Sequence, residues 1–231
     1  MTAMSGGKTR VEAAAAVVVP QVTVVARCHG IEVPASPFLG PTMIEAIEAG
    51  RYEGSEIKCG LACIPQGAGI LELGAGAGIV GAVLARHLAP AAILSVEANG
   101  ALLGNIRALH AHNGVSDLIT LRHGVVLSEP DAPAEVEFFV MGNFLGSGLT
   151  ARNPDRARSV TVPVIRYEAL KREFPHDAIM MDIEGGELEF LRHADLSGVK
   201  VLVGEFHREI YGSDGMKECR KLLSAKGFRI D

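Results

Sequence analysis

From residue 69 onward the chain alternates short apolar runs with longer amphipathic ones, and that rhythm restricts the fold more than any other feature. GILELG is an apolar run of strand length, IVGAVLARHL carries apolar residues at helical spacing, AAILSVEAN is a second strand, ALLGNIRALHAHN a second helix and LITLRHG a third strand. Strands that alternate with helices pair in parallel, and a parallel sheet buries both faces. The expected fold is therefore α/β: a doubly wound, mostly parallel sheet with helices on both faces. HDAIMMDIEG, ELEFLRHAD, VKVLVGEFH and MKECRKLLSAKG continue the rhythm as strand, helix, strand and a last helix ending at Gly227, and FRID leaves room for only a very short final strand.

Two segments depart from this rhythm. Upstream, QVTVVARCHGIEVP alternates like a short strand pair, and PFLGPTMIEAIEAGRYEGSEIKCGLAC is helical with interruptions at Gly50 and Gly54, together a small N-terminal cap. Further on, VEFFVMG and SVTVPVIRY read as strands around NFLGSGLTARNPDRA, a polar, glycine-containing and basic loop of the kind usually found on surfaces and often functional. With 231 residues there is length for one α/β domain and an extension, divided here as 1–66 for the extension and cap and 67–231 for the main domain. The first twenty or so residues read as a tail or an oligomer contact, and with the cap they allow a homodimer.

A net charge of -5 gives no electrostatic reason to bind a polyphosphate backbone, so no nucleic-acid partner is expected. No apolar run approaches the roughly twenty residues that span a bilayer, and Glu12 interrupts the short apolar stretch of KTRVEAAAAVVVPQ with no cleavage site after it. No membrane association is expected, and the expected location is the cytoplasm. Cys59 and Cys63 are spaced to share a helical face, but neither Cys28 nor Cys219 completes a zinc set, so reduced and mostly buried thiols are expected.

The loop ILELGAGAGIVG divides in two ways. As GxGxxG its glycines are Gly76, Gly78 and Gly81, with Glu97 about twenty residues on, the pattern that seats a dinucleotide pyrophosphate on a helix N-terminus. As acidic-x-Gly-x-Gly-x-Gly it comprises Glu72, Gly74, Gly76 and Gly78, the loop of class I S-adenosylmethionine-dependent methyltransferases. A pyrophosphate disfavours a carboxylate beside it, whereas S-adenosylmethionine carries an ammonium and a sulfonium and no phosphate, so Glu72 favours the second division. Glu97, ending the second strand, can accept both ribose hydroxyls of either cofactor. The later strands deliver Asp182 and Glu184 in MMDIEGGE, then Glu205 and His207 in GEFHRE, to the same edge of the sheet.

As an ordered set these segments resemble the FkbM family of S-adenosylmethionine-dependent methyltransferases over roughly residues 50–210: ILELGAGAG, VEANG, LLGNIRALHAHN, VPVIRYEAL, MDIEGGE and GEFH all have counterparts there. Gly100 stands where that family usually has proline, Tyr167–Glu168 replaces Leu–Asp, and Gly186 replaces alanine or valine. The resemblance implies a class I Rossmann-like fold and methylation of oxygen on a sugar, polyketide or related metabolite. It makes residues 67–231 the S-adenosylmethionine-binding domain. It assigns Glu72, Gly74, Ala75, Gly76 and Gly78 to the methionine and ribose parts of the cofactor, Glu97 to the ribose hydroxyls, and Ala98, Asn99, Gly124 and Val125 to the adenine. Tyr52, Glu53 and Glu56 in RYEGSE resemble a helix that lies over the cofactor.

Methyl transfer from a sulfonium is an in-line displacement, so the protein chiefly aligns the reacting atoms and excludes water. An alcohol acceptor calls for a base within hydrogen-bond reach, and His207 suits that role near neutrality. Asp182 is the second candidate, as base or as orienting partner, and Glu184 joins them as the third candidate catalytic residue. Glu187 reads as a partner of the helix dipole. Asp182, Glu184, Glu205 and His207 have the chemistry to bind a divalent cation, although no spacing demands one and no metal is expected. Arg152, Arg156 and Arg158 read as a solvated loop face, with an anionic acceptor as the alternative. Two other functions fit parts of this pattern: an NAD(P)-dependent oxidoreductase using the glycine loop, which lacks a Tyr-x-x-x-Lys pair, and a non-catalytic cofactor-binding protein.

Overall fold

The computed structural model describes residues 22–142, 144–151 and 155–230. The expectations for the first twenty residues and for Arg152 lie outside them. The cap opens with a hairpin, β1 (Val24–Cys28) and β2 (Ile31–Pro34), turned at His29 and Gly30, both at positive φ. Positive φ at both turn residues matches the twist of paired strands, which suits the glycine. Then come α1 (Pro41–Glu48), opened by proline in its first turn, and α2 (Gly54–Cys63).

The main domain runs β3 (Gly69–Leu73), α3 (Ile79–Leu88), β4 (Ala92–Glu97), α4 (Leu103–His112), β5 (Ile119–His123), β6 (Val125–Leu127), β7 (Glu135–Val140), β8 (Arg158–Arg166), α5 (Tyr167–Glu173), β9 (Ala178–Met181), α6 (Glu187–His193), β10 (Val201–Gly204) and α7 (Arg208–Ala225). Five strands form a parallel sheet in the order β10-β9-β3-β4-β5. The chain leaves β3 towards β4 on one side and returns on the other at β9. In such sheets the crevice at the carboxyl ends beside that reversal is where ligands bind.

Alternation along the strands divides the core. Ile70, Ile93, Ala178 and Met180 join Ile79, Val83 and Leu84 of α3 and Ile31, Val33, Ile47 and Ile57 of the cap. Their neighbours Leu71, Leu73, Leu94, Val96, Ile179 and Met181 join Tyr167, Leu170, Leu188, Leu191 and Cys219 on the other face. Both faces are covered, as the apolar strand runs require.

Three features differ from expectation. Val125–Leu127 forms a strand, and with β7 and β8 it builds a separate three-stranded sheet in the order β6-β8-β7. The last helix begins at Arg208 and absorbs a kink at Gly212, whose φ of 69° only glycine adopts readily, and no strand follows it among the described residues. Of the four cysteines only Cys28 and Cys219 are buried, while Cys59 and Cys63 are exposed on α2, whose outer face meets solvent. No described helix is long and apolar enough to cross a membrane.

Candidate active site

The site grows from the register of three neighbouring strands, β3, β9 and β10. Leu73 of β3 pairs with Met181 of β9, and Met181 pairs with Gly204 of β10, so the next residue out of each strand is Gly74, Asp182 and Glu205. A Cβ on Gly74 would stand 1.9 Å from the Asp182 carbonyl oxygen, so only glycine lets the two chain ends pass. Gly78 and Gly81 serve packing instead. A Cβ on Gly78 would stand 2.7 Å from Ile106 of α4, and one on Gly81 would stand 2.5 Å from the Glu72 carboxylate.

That carboxylate is 2% exposed and accepts hydrogen bonds from the Ser95 hydroxyl and the Gly81 N–H at the start of α3. Its other oxygen, Oε1, is buried with no hydrogen-bond partner among the described residues. Burial pushes the Glu72 pKa up to about 7, with the charge of Glu97 adding to the shift. Glu97, 6% exposed, accepts the Gly76 N–H on Oε2 at 2.8 Å and the Asn99 N–H on Oε1 at 2.7 Å. Each oxygen retains acceptor capacity. Burial raises its pKa to about 7 as well, against the pull of those N–H groups.

Glu72, Gly74, Ala75, Gly76, Glu97, Ala98, Asn99, Gly124 and Val125 line one cavity of about 260 Å³. Of the residues expected to hold the cofactor, Gly78 alone stands outside it, because its place at the α3–α4 contact turns it away. Tyr52, Glu53 and Glu56 of the RYEGSE segment line the same cavity. Sequence reasoning missed Glu129 and Phe144. Glu129 follows the unforeseen β6, and its buried Oε2 has no hydrogen-bond partner among the described residues, an acceptor available to an amino group. Phe144 sits in the loop after β7 and packs with Ala75, Leu102 and Ile106 over the glycine loop. The polar cast of NFLGSG conceals that burial.

A second, open cavity of about 370 Å³ adjoins the first. Glu53, Asp182, Glu184 and Leu145 line both, and Glu205, His207 and Glu209 complete its polar wall. The three expected catalytic residues meet here. The His207 side chain is 5% exposed, with Nδ1 at 2.9 Å from Glu187 Oε1 and Nε2 at 3.2 Å from Glu184, 3.7 Å from Asp182 and 4.0 Å from Glu205. Burial alone would lower its pKa, but hydrogen bonds to Glu184 and Glu187 and the charges of Glu187 and Asp182 prevail and raise it to about 10. In the protonated form that these carboxylates favour the ring has no lone pair to offer, so His207 serves as a base or a ligand once Nε2 has given up its proton. Glu187 opens α6, where the helix dipole favours a carboxylate, and it is also fully buried, with its Oε1 accepting both the His207 ring N–H and the Gly185 N–H.

The remaining carboxylates crowd one another. Burial and then the charges of Glu184 and Glu205 raise Asp182 to about 7, and burial with Asp182 and Glu56 raises Glu53 to about 8. Glu53 and Glu184 both hold positive φ, at 49° and 53°, strained for non-glycine residues and placed where the two cavities join. Arg156 and Arg158 are exposed and line neither cavity, in keeping with a solvated loop face.

A model of the FkbM methyltransferase domain matches residues 92–230, more than half of the chain. The chain belongs to the FkbM methyltransferase family. The match starts at β4 and runs through α7, beginning later and ending later than the resemblance read from the sequence. No curated protein matches the chain. Among solved structures it is similar to a precorrin-6y C5,15-methyltransferase from Geobacter metallireducens, at 15% identity and a TM-score of 0.45 over 78% of this chain and 72% of that one. Trm5b from Pyrococcus abyssi aligns at 14% identity and a TM-score of 0.47 over 91% of this chain and 48% of that one. A putative O-methyltransferase from Klebsiella pneumoniae aligns at 16% identity and a TM-score of 0.42 over 85% of this chain and 80% of that one. The chain spans from about half to four fifths of these proteins' lengths.

Methyltransferases of this kind take the methyl group from S-adenosylmethionine, and the first cavity fits that donor. The Glu97 oxygens, each held by one N–H, would accept a pair of ribose hydroxyls, and the unpartnered Oε1 of Glu72 suits a cationic ligand. No Lys or Arg lies among the described residues that line the cavity. A pyrophosphate would meet carboxylates there without a counter-charge.

Proposed function

We propose that this FkbM methyltransferase transfers the methyl group of S-adenosylmethionine to a hydroxyl oxygen of a small molecule that enters through the second cavity. One observation carries this reading: the cavity fitted for the donor and the acidic cavity join at Asp182 and Glu184. A donor seated against Glu97 and the glycine loop can direct its methyl group to that junction, where the acceptor oxygen attacks the methyl carbon as the carbon–sulfur bond breaks. The hydroxyl proton leaves to the carboxylate wall. Preorganised alignment supplies much of the rate in such a displacement. The wall suits a donor of several hydrogen bonds, such as a sugar or another polyol, because Glu53, Asp182, Glu184 and Glu205 are acceptors when ionised and would repel an anionic acceptor.

The test is methyl transfer from radiolabelled S-adenosylmethionine to a panel of polyols and sugars, with binding of S-adenosylmethionine and of NAD and NADP measured by calorimetry. The expected result is transfer to a hydroxyl, with Asp182→Asn lowering kcat by about 100-fold or more while S-adenosylmethionine binding changes little. Binding of NAD or NADP without S-adenosylmethionine would overturn the reading, and undiminished transfer by the variant would remove Asp182 from the site.

A further inference from the structure

We propose that Asp182, Glu205 and His207 form a binding site for one divalent transition-metal cation, facing the second cavity. One oxygen from each carboxylate and one ring nitrogen of His207 lie within 4.8 Å of one another. Two ligands of a single ion with bonds of about 2.1 Å stand no more than about 4.2 Å apart. His207 Nε2 meets that limit with both carboxylates, at 3.7 Å from Asp182 and 4.0 Å from Glu205.

Two further observations point to a ligand at this place. The Asp182 oxygen nearest Nε2, Oδ1, is buried and accepts no hydrogen bond among the described residues. The large majority of buried side-chain polar atoms have a partner, so this oxygen is open to a cation. Opposite it, the Nδ1–H of His207 donates to Glu187, which is fully buried, leaving Nε2 to face Asp182, Glu205 and, at 3.2 Å, Glu184, whose hydrogen bond a bound ion would replace. A histidine held on its far side by a buried carboxylate, with its near nitrogen aimed at further carboxylates, is the arrangement that orients an imidazole ligand and raises its basicity. With the Nε2 proton displaced, the ring offers its lone pair to a Lewis acid, and the mixed nitrogen and oxygen set suits a cation such as Mn²⁺ or Zn²⁺.

The inference rests on the proposed function for its consequence, though not for binding. Three protein ligands on the wall of an open cavity leave positions that adjacent hydroxyls of a polyol can occupy. The ion would hold the acceptor oxygen towards the donor cavity and make its proton easier to lose. In that arrangement Asp182 and His207 serve as ligands, and Glu187 as a positioning residue.

The experiment titrates the full-length, chelator-treated protein with MnCl₂ by calorimetry without S-adenosylmethionine, then titrates S-adenosylmethionine separately. One Mn²⁺ per chain is expected, with affinity reduced at least about 10-fold in Glu205→Gln and in Asp182→Asn, and about 10- to 100-fold in Glu187→Gln. Glu205 is 51% exposed, so its variant tests the site with little risk to folding. Absence of Mn²⁺ binding up to about 1 mM, or equal affinity in Glu205→Gln and Asp182→Asn, would overturn the site. Mn²⁺ binding at this site without transfer to any hydroxyl would uphold the site and remove the proposed acceptor; transfer unaffected by chelation, with no Mn²⁺ bound, would do the reverse.

Discussion

Glu97 and Glu72 are two buried acids that line the same cavity, and their partners give them different work. Glu97 spends one lone pair of each oxygen on the N–H groups of Gly76 and Asn99, which holds both oxygens in place for a diol. Glu97→Ala should weaken S-adenosylmethionine by about 10- to 100-fold in calorimetry, the scale of losing hydrogen bonds to a charged group. Glu72 is held by Ser95 and Gly81 beneath α3, and its raised pKa ties it to stability. The folded chain keeps its proton up to about pH 7, whereas the unfolded chain releases it near 4.5. Between those values the folded state binds more protons, so this group's contribution to stability falls as pH rises through the window and is lost above it. Glu72→Gln should therefore flatten the decline of Tm with pH between about 4.5 and 7, and an unchanged slope would mean that Glu72 is ionised throughout.

Among the elements, the loop between β7 and β8 shows both how far the sequence was legible and where it was not. Its base is pinned by paired hydrogen bonds between Phe139 and Gly148, and its tip by the Gly146 N–H, donated to Glu184 at 2.8 Å. Between them Phe144 is buried over the glycine loop. Phe144→Ala should raise the Kd for S-adenosylmethionine by about 10-fold and speed hydrogen exchange at residues 145–147, while the amides of Phe139 and Gly148 stay protected. Exchange that rises along the whole loop would show instead that Phe144 holds its base. The strands and helices of the main sheet were readable because each carries its own period, and the acids at strand ends because they stand at set offsets from apolar runs. Contacts made across long separations were not. Glu187 on His207, Phe144 on Ala75 and the pairing of β6 with β8 depend on register between distant segments, and no local pattern encodes them. Gly78 shows a complementary ambiguity, since a glycine needed for helix packing and one needed for a ligand look alike in sequence.

For the whole molecule, the cap and the sheet share one body of apolar side chains. Ile31, Val33, Ile47 and Ile57 pack in the same cluster as Ile70, Ile93 and Met180 of the central strands. A cap with its own core would unfold separately, whereas one that completes the sheet's covering unfolds with it. Calorimetric unfolding should therefore show one transition. Ile57→Ala, removing a fully buried side chain of α2, should lower the stability of the entire chain by about 2–5 kcal/mol. At about 2–4 °C per kcal/mol for a chain of this size, Tm should fall by about 4–20 °C. The same change should reach the site, because α2 starts directly after Tyr52 and Glu53, which line the donor cavity. Weaker S-adenosylmethionine binding should accompany the lower Tm. Two separate transitions, with only the lower one shifted by Ile57→Ala and S-adenosylmethionine affinity intact, would instead make the cap an independent unit and leave the donor cavity to the sheet alone.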